Sequence, residues 1–234
     1  MKLHFDTKLS TTIGLGSIEH CIDPLIHVSE NAIVIVPGAN MLLGDTELQK
    51  AHEALSHAKV MICQLEVNPD TSLKALHAAH KHHVKTIFNP APAASDLSQE
   101  FYKLSDILCC NETEAEILTG KTVTTMEDAG KVSLELLARG CGSAIVTLGS
   151  QGCVVLSSQD SCPKHIPATS VTAVDTTGAG DSFIGALAFY VAYYSSLTLE
   201  EMVRRANVVA SLSVQKEGTQ TSFPSRRDLP AELL

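Results

Sequence analysis

The stretch SVTAVDTTGAGDSFIGALAFYVAYY, residues 170–194, contains the pattern that decides the fold. It begins with a β-branched run, SVTAV, which predicts a strand, and ends with an apolar run, IGALAFYVAYY, which predicts a buried helix. Between them, DTTGAGDSF places Asp175 and Asp181 around a Gly-Ala-Gly turn. Ligands of open α/β sheets bind where strands end and helices begin, so this loop is a candidate site.

Short β-branched runs alternate with longer amphipathic segments along most of the chain. Strands are predicted in NAIVIV, KVMICQLEV, VKTIF, DILCC, SAIVTLG and CVVLS, and helices in TELQKAHEALSHA, TSLKALHAAHKH, SQEFYKL, ETEAEILTG and MEDAGKVSLELLARG. Thr46 and Gln49 form a candidate capping box for the first of these helices. Strands that are apolar on both faces and joined by helices predict a mostly parallel sheet in a three-layer α/β/α domain.

The composition narrows the possible functions. The 234-residue chain has a formal net charge of -9, which argues against a surface that attracts nucleic acid or anionic membranes. Its seven cysteines form no C-x-x-C pair and predict reduced thiols of a cytosolic protein. No apolar run reaches the roughly 18 residues of a membrane span, and the N-terminus lacks a signal-peptide pattern. We therefore predict a soluble protein of the cytoplasm, with the nucleus as a second compartment.

The glycine loop has the physical properties of an anion hole. Gly178 and Gly180 permit a tight turn that leaves the first amides of the next helix free, and the helix dipole adds positive potential. Asp181, beside these amides, is placed to accept a proton from a hydroxyl group that attacks a phosphoryl group. The alternative is an ordinary turn followed by a favourable first-turn acid. Asp175 either ligates a cation or braces the loop.

Two other patterns carry weaker signals. TGKT, residues 119–122, is not a P-loop, because Ala115 stands where the motif requires glycine. The segment HAAHKHH, residues 77–83, contains four histidines, but no carboxylate or cysteine within it completes a tetrahedral metal site. A solvated helix end is therefore the favoured interpretation of these histidines.

A longer pattern is similar to a known family. AVDTTGAGDSFIGALAF, residues 173–189, resembles the second signature of the ribokinase-like (PfkB) carbohydrate kinases. QLE, NPAPA, CCNETEAEILTG, TLGSQG and SVQKEGTQTSFP resemble further family segments, in family order. The resemblance covers residues 29–234, which we predict to be one domain after a divergent segment, residues 1–28. It implies a three-layer α/β/α ribokinase-like fold and ATP-dependent phosphorylation of D-ribose to D-ribose 5-phosphate.

The resemblance also implies roles for individual residues. Asp181 would be the general base, with the amides of Gly178, Ala179 and Gly180 as the anion hole and Glu66 as a second ribose ligand. The remaining implied ligands are Asn111, Thr147, Gly149, Gly152, Gly180 and Asn207 for ATP, Glu114 for Mg²⁺ through water, and Asp175, Thr177, Ser213, Lys216, Gly218 and Ser222 for K⁺. Alternatives remain open: Glu114 as a solvated helical acid, Glu66 as a strand-end acid, and TLGSQG as a simple hairpin turn.

The front of the chain departs from the family pattern. We find no GGKGAN-type sugar-binding segment, no early aspartate and no β-lid of the kind through which family members form homodimers. The expectation is a core whose N-terminal strands and β-lid are largely missing. Two alternatives to a ribose kinase follow, namely a nucleotide-binding form with little catalysis, or a kinase for another sugar or a nucleoside. In either case the predicted partners are small molecules, with no nucleic acid and no membrane.

Overall fold

A six-stranded sheet forms the centre of residues 38–233, which are the residues that the computed structural model describes. The strands follow one another across the sheet in chain order: β1 (Val60–Cys63), β2 (Lys85–Phe88), β3 (Ile107–Asn111), β4 (Ser143–Thr147), β5 (Cys153–Ser157) and β6 (Lys164–Ile166). Strands β1 to β4 are parallel, whereas β5 and β6 continue the sheet as antiparallel strands. The prediction of a mostly parallel sheet is confirmed. The predicted strand NAIVIV and the segment 1–28 lie outside the described residues.

Helices connect the parallel strands and follow the sheet. The described residues contain seven α-helices: α1 (Asp45–His57), α2 (Pro69–Lys81), α3 (Gln99–Lys103), α4 (Glu112–Thr119), α5 (Met126–Ala138), α6 (Ala179–Tyr193) and α7 (Leu199–Ser213). Short 3₁₀ turns occur at Gly38–Leu42, Gly149–Gln151, Arg226–Asp228 and Ala231–Leu233. Within the described part of the chain, no helix has the length and apolar character needed to cross a bilayer.

The two faces of the sheet are covered by different helices. Because side chains alternate along a strand, Cys110 packs in a cluster with α2 to α5, whereas Cys109 packs in a second cluster with α6 and α7. In the first cluster, the rings of Phe88 and Phe101 stack with centroids 5.1 Å apart. Burial raises the pKa of both thiols well above the usual range, which keeps them protonated and unreactive. The three-layer architecture is therefore confirmed, with a separate apolar core on each side of the sheet.

The strand predicted for SVTAV does not form. After β6 ends at Ile166, the chain turns away at Pro167 and follows an irregular path to the glycine loop. The amides of Val174 and Asp175 donate to the carbonyl oxygen of Val214, just beyond α7, at 2.7 and 3.2 Å. The β-branched composition was a misleading signal here, because these backbone groups bond to a helix end and not to a neighbouring strand.

The start of α1 also differs from its prediction. The helix begins at Asp45, and the amide of Gly44 donates to the Oε2 atom of Glu47 at 3.1 Å. The capping box predicted from Thr46 and Gln49 is therefore wrong. Glu47, two residues before the predicted Gln49, performs the same task.

Candidate active site

Two carboxyl groups lie within electrostatic range of each other at the carboxyl edge of the sheet. Glu66 follows the end of β1, and Asp181 lies in the first turn of α6. Burial raises the pKa of Glu66, and the negative charge of Asp181 raises it further. Surrounding protein atoms also raise the pKa of Asp181 through desolvation, although both side chains keep contact with solvent. Such a pair is typical of sites that move protons.

The glycine loop before α6 is fixed by a close contact with a second loop. Gly178 has a left-handed backbone with a φ of 78°, and a Cβ atom there would lie 2.5 Å from Cγ2 of Thr219 and 3.2 Å from Cε1 of Phe223. Gly180, in contrast, would place a Cβ atom in open space. Gly178 is therefore required by the fold, whereas Gly180 keeps the approach to the helix N-terminus clear.

The amides of this loop do not all stay free. The amide of Ala179 donates to the carbonyl oxygen of Thr176 at 3.1 Å, so in this conformation it is engaged within the loop. Its role in the anion hole stays a prediction. The amides of Gly178, Gly180 and Asp181 have no acceptor among residues 38–233. They are the donors that the first turn of α6 offers to an anion.

Asp175 connects the glycine loop to the segment after α7. Its Oδ1 atom accepts a hydrogen bond from the amide of Thr177, and its Oδ2 atom accepts one from the amide of Gly218, both at 2.9 Å. In the same segment, the carbonyl oxygen of Ser213 accepts from the amide of Lys216 at 3.3 Å. Asp175 thus ties together the two loops that carry the predicted K⁺ ligands.

The chemistry of this donor set fits an alkali cation. Ser222 is buried, and its hydroxyl group donates to the carbonyl oxygen of Thr219 at 2.7 Å. The hydroxyl hydrogen is thus used, and the lone pairs of the oxygen are left to bind a cation. The other predicted ligands are a carboxylate and main-chain carbonyl groups, which are hard oxygen donors. Residues 38–233 contain no group of three or more His, Cys, Asp or Glu side chains arranged around a metal ion.

Asn111 and Glu114 cap the start of α4. The amide of Glu114 donates to Oδ1 of Asn111 at 2.8 Å, and the amide of Asn111 donates to Oε2 of Glu114 at 2.9 Å. Burial raises the pKa of Glu114, partly offset by these hydrogen bonds. The cap explains the local spacing of the two residues, and it fixes the Glu114 carboxylate at the carboxyl edge of the sheet.

Asn89 opens the segment NPAPA, which the resemblance included without assigning this residue a role. Its amide donates to the carbonyl oxygen of Cys63 at 2.8 Å, and its side chain donates to that of Cys109 at 2.9 Å. The same Nδ2 atom lies 3.5 Å from Oε2 of Glu114. Asn89 therefore joins the ends of β1, β2 and β3. A sequence signal for this role exists. Asn89 follows a buried strand directly, and a buried side-chain amide must find hydrogen-bond partners inside the protein.

The segment TLGSQG forms the turn between β4 and β5. Gly149 is exposed with a φ of 51°, and the side chain of Thr147 donates to the carbonyl oxygen of Cys110 at 3.4 Å. Gly152 is buried, and a Cβ atom there would lie 2.1 Å from the carbonyl oxygen of Ile166. The interpretation of TLGSQG as a simple hairpin turn thus explains Gly152, because only glycine fits against β6 at this position. Gly149 and Thr147 remain accessible to a ligand.

Asn207 lies inside the fold. Its side chain is buried, and its Nδ2 atom donates to the carbonyl oxygen of Ile166 at 3.3 Å and contacts the sulfur of Cys153 at 3.7 Å. These contacts join α7 to the hairpin. The structure does not place the Asn207 amide at an open nucleotide surface, so its predicted contact near adenine is not supported by this geometry.

The comparison with known families identifies the protein class. The model of the pfkB family carbohydrate kinases matches residues 24–226, a span that includes the whole carboxyl edge. The chain belongs to the pfkB family of carbohydrate kinases. Mouse ribokinase is 58% identical over 204 residues, which are 87% of this chain and 63% of the mouse protein. A deoxyribokinase of Salmonella typhi is 38% identical over 197 residues, which are 84% of this chain and 63% of that protein.

Solved structures of pfkB family members have the same fold. The structure of Arabidopsis thaliana ribokinase complexed with ribose and ATP has a TM-score of 0.74 and is 30% identical to this chain. The superposition covers 85% of this chain and 64% of the Arabidopsis chain. The ribokinase-like fold predicted from the sequence is confirmed. The chain spans less than two thirds of the length of these relatives.

Proposed function

We propose that this pfkB family protein transfers the γ-phosphoryl group of ATP to a hydroxyl group of D-ribose and so produces D-ribose 5-phosphate. The observation that carries the proposal is the Glu66–Asp181 carboxyl pair beside the amides of Gly178 and Gly180. Phosphoryl transfer needs a group that orients and deprotonates the nucleophile and fixed donors for the phosphoryl oxygens. The relatives named as a ribokinase and a deoxyribokinase support a pentose as the substrate.

Each carboxyl group has a distinct task in this proposal. Asp181 accepts the proton of the attacking hydroxyl group, because its position in the first turn of α6 places it beside the phosphoryl-binding amides. Its raised pKa makes it a stronger base than an ordinary aspartate. Glu66 accepts a hydrogen bond from a second hydroxyl group of the sugar and so orients the ring. A neutral sugar bound between them also separates two like charges.

The nucleotide would lie on the other side of these amides. Thr147 and Gly149 at the β4–β5 turn, with Asn111 at the start of α4, would contact its phosphates. Glu114 would hold water molecules of Mg²⁺, and bound Mg²⁺ neutralises phosphate charge. The chain supports this role through Asn89 and the amide of Asn111, which both approach Oε2 of Glu114 and hold that carboxylate in place.

K⁺ would bind between the glycine loop and the segment after α7. Asp175 already ties these two segments together through Thr177 and Gly218. A cation held by Asp175, Ser222 and nearby carbonyl oxygens would stiffen the loop that carries the anion-binding amides. Its effect on catalysis would therefore be to position these amides, with no direct part in proton transfer.

A coupled assay of ADP formation tests the proposal. ADP should form in the presence of D-ribose and Mg·ATP and should not form when the sugar is left out. Calorimetry with a non-hydrolysable ATP analogue, measured in parallel, separates binding from turnover. Analogue binding without ribose-dependent ADP formation would favour the nucleotide-binding alternative.

A second candidate substrate is 2-deoxy-D-ribose. The observation that favours it is the 38% identity to the Salmonella typhi deoxyribokinase over 84% of this chain. The two sugars differ by one hydroxyl group, so a site that hydrogen-bonds this hydroxyl group would reject the deoxy sugar strongly. A comparison of kcat/KM for the two sugars under identical conditions decides between them.

A further inference from the structure

Two histidine side chains from different helices meet on the surface, away from the carboxyl edge. His52 belongs to α1, and His82 caps the C-terminus of α2. Their Nε2 atoms are 3.1 Å apart, and their rings are nearly perpendicular, at 80°, with centroids separated by 4.9 Å. The histidines of residues 77–83 lack a partner ligand within their own segment. The fold supplies one from the neighbouring helix.

We propose that His52 and His82 form a binding site for a transition metal ion such as Zn²⁺, with water molecules as the remaining ligands. The geometry fits this ion. Two nitrogen ligands at ordinary Zn–N distances in a tetrahedral arrangement lie about 3.3 Å apart. The observed separation of 3.1 Å needs only a small side-chain adjustment to reach this value. Both rings bring the same type of nitrogen, Nε2, to within 3.1 Å of each other, and neutral imidazole is a common metal ligand.

The surroundings of the pair favour a cation. The backbone amide of His82 donates to the carbonyl oxygens of Ala78 and Ala79, which places the residue at the C-terminal end of α2. The partial negative charge of a helix C-terminus attracts positive charge. The chain as a whole carries a formal net charge of -9, which works in the same direction.

The site would tie α1 to the rest of the domain. None of the residues of α1 is buried, and polar contacts with α2 hold the helix start: Nζ of Lys74 lies 2.7 Å from Oδ1 of Asp45, and the hydroxyl group of Thr71 donates to the carbonyl oxygen of Leu43 at 2.9 Å. A metal ion between His52 and His82 would add a bond further along α1. Because the two ligands meet only in the folded chain, metal binding would stabilise the native state.

Zinc calorimetry on tag-free protein, first stripped of metal with EDTA, tests the site. The variants are His52→Gln and His82→Gln, which keep a polar side chain of similar size. The matched control is His80→Gln on the same helix. We expect one Zn²⁺-binding event that is lost in either site variant and retained in the control. Binding by other histidines and cysteines of the chain would remain in all four proteins and is subtracted.

Two further readouts identify the ligand atoms and the effect on the fold. Imidazole ¹⁵N NMR should show Zn²⁺-induced shifts of Nε2 in both His52 and His82. The Tm should rise with Zn²⁺ in the wild type and in His80→Gln, but not in the site variants. Equal Zn²⁺ affinity in the wild type and both site variants, or a shift of only one Nε2 atom, would overturn the proposal. These measurements do not depend on kinase activity, so they test the metal site independently of the proposed function.

Discussion

The carboxyl groups of Glu66 and Asp181 lie close enough for the charge of one to raise the pKa of the other. Burial is the larger cause of the raised pKa of Glu66, and the charge of Asp181 adds to it. The two residues come from the end of β1 and the start of α6, far apart in the chain. The fold brings them together, because α6 packs against β1 and its first turn lies near the carboxyl end of that strand.

This relationship predicts a pH dependence of activity. A general base must be ionised, so kcat/KM should fall as the pH decreases through the raised pKa of Asp181. The charge of Asp181 raises the pKa of Glu66, so Asp181→Asn should lower the pKa of Glu66, as measured by ¹³C NMR of the Glu66 carboxyl carbon. Glu112→Gln, at the start of α4, is the control and should leave the pKa of Glu66 in place. An unchanged pKa of Glu66 in Asp181→Asn would contradict the coupling.

The same raised pKa values predict a cost in stability. An acid whose pKa is higher in the folded state favours unfolding as the pH rises, because the unfolded carboxyl group ionises more readily. Asp181→Asn and Glu66→Gln should therefore each raise the Tm at neutral pH. The gain should disappear below about pH 4, where the unfolded carboxyl groups are also protonated. Calorimetric scans at both pH values measure this, and a lower Tm at neutral pH would contradict it.

The two glycines of the loop should respond differently to alanine. Gly178→Ala forces a left-handed backbone on a residue with a Cβ atom, which costs about 1–2 kcal/mol before the contact with Thr219 is counted. Gly180→Ala meets open space and should leave the free energy of unfolding unchanged or slightly higher. If phosphate approaches the backbone here, Gly180→Ala should still weaken binding of the ATP analogue. Urea titration and calorimetry separate the two effects. Equal destabilisation by both changes would contradict the conclusion that the fold requires glycine at position 178 but not at position 180.

A cation site at Asp175 predicts a choice among alkali ions. If K⁺ orders the loop, activity in K⁺ should exceed that in Na⁺ or Li⁺ at equal ionic strength, and Asp175→Ala should abolish the difference. The variant also loses the hydrogen bonds to the amides of Thr177 and Gly218, so its stability should fall by about 1–3 kcal/mol. Ribose-dependent rates in the three salts provide the measurement. Identical wild-type rates in all three would rule out the site.

Sequence patterns predicted the regular elements well. The runs VKTIF and SAIVTLG are strands, and TSLKALHAAHKH and MEDAGKVSLELLARG are helices with residue bounds close to the predicted ones. Their signals are local, because periodicity and caps act within one element. The prediction for SVTAV was wrong because its composition favours a strand, but among residues 38–233 the segment after Pro167 has no neighbouring strand to pair with.

The candidate site was predictable in part. The glycine loop, Asp181 and Glu66 could be proposed from the sequence, because their spacing and their resemblance to family segments are local features of the chain. The hydrogen bonds of Asn89 and the bond from Ala179 to Thr176 could not be predicted, because such bonds depend on how the chain turns in three dimensions. The buried settings of Asn207 and Gly152 are a similar case, since both pack against Ile166 on β6.

Turnover by Asp181→Asn tests the central claim most directly. The change keeps the shape of the first turn of α6 and removes the proton acceptor, so ribose-dependent ADP formation should fall roughly 10²- to 10⁴-fold with little change in affinity for the ATP analogue. The measurement compares kcat and analogue Kd for the wild type and the variant in Mg²⁺ and K⁺. A wild type that forms ADP only with ribose, and a variant that binds the analogue but does not turn over, is the predicted result. Near-normal turnover by Asp181→Asn, or a wild type whose ADP formation does not depend on ribose, would contradict the account.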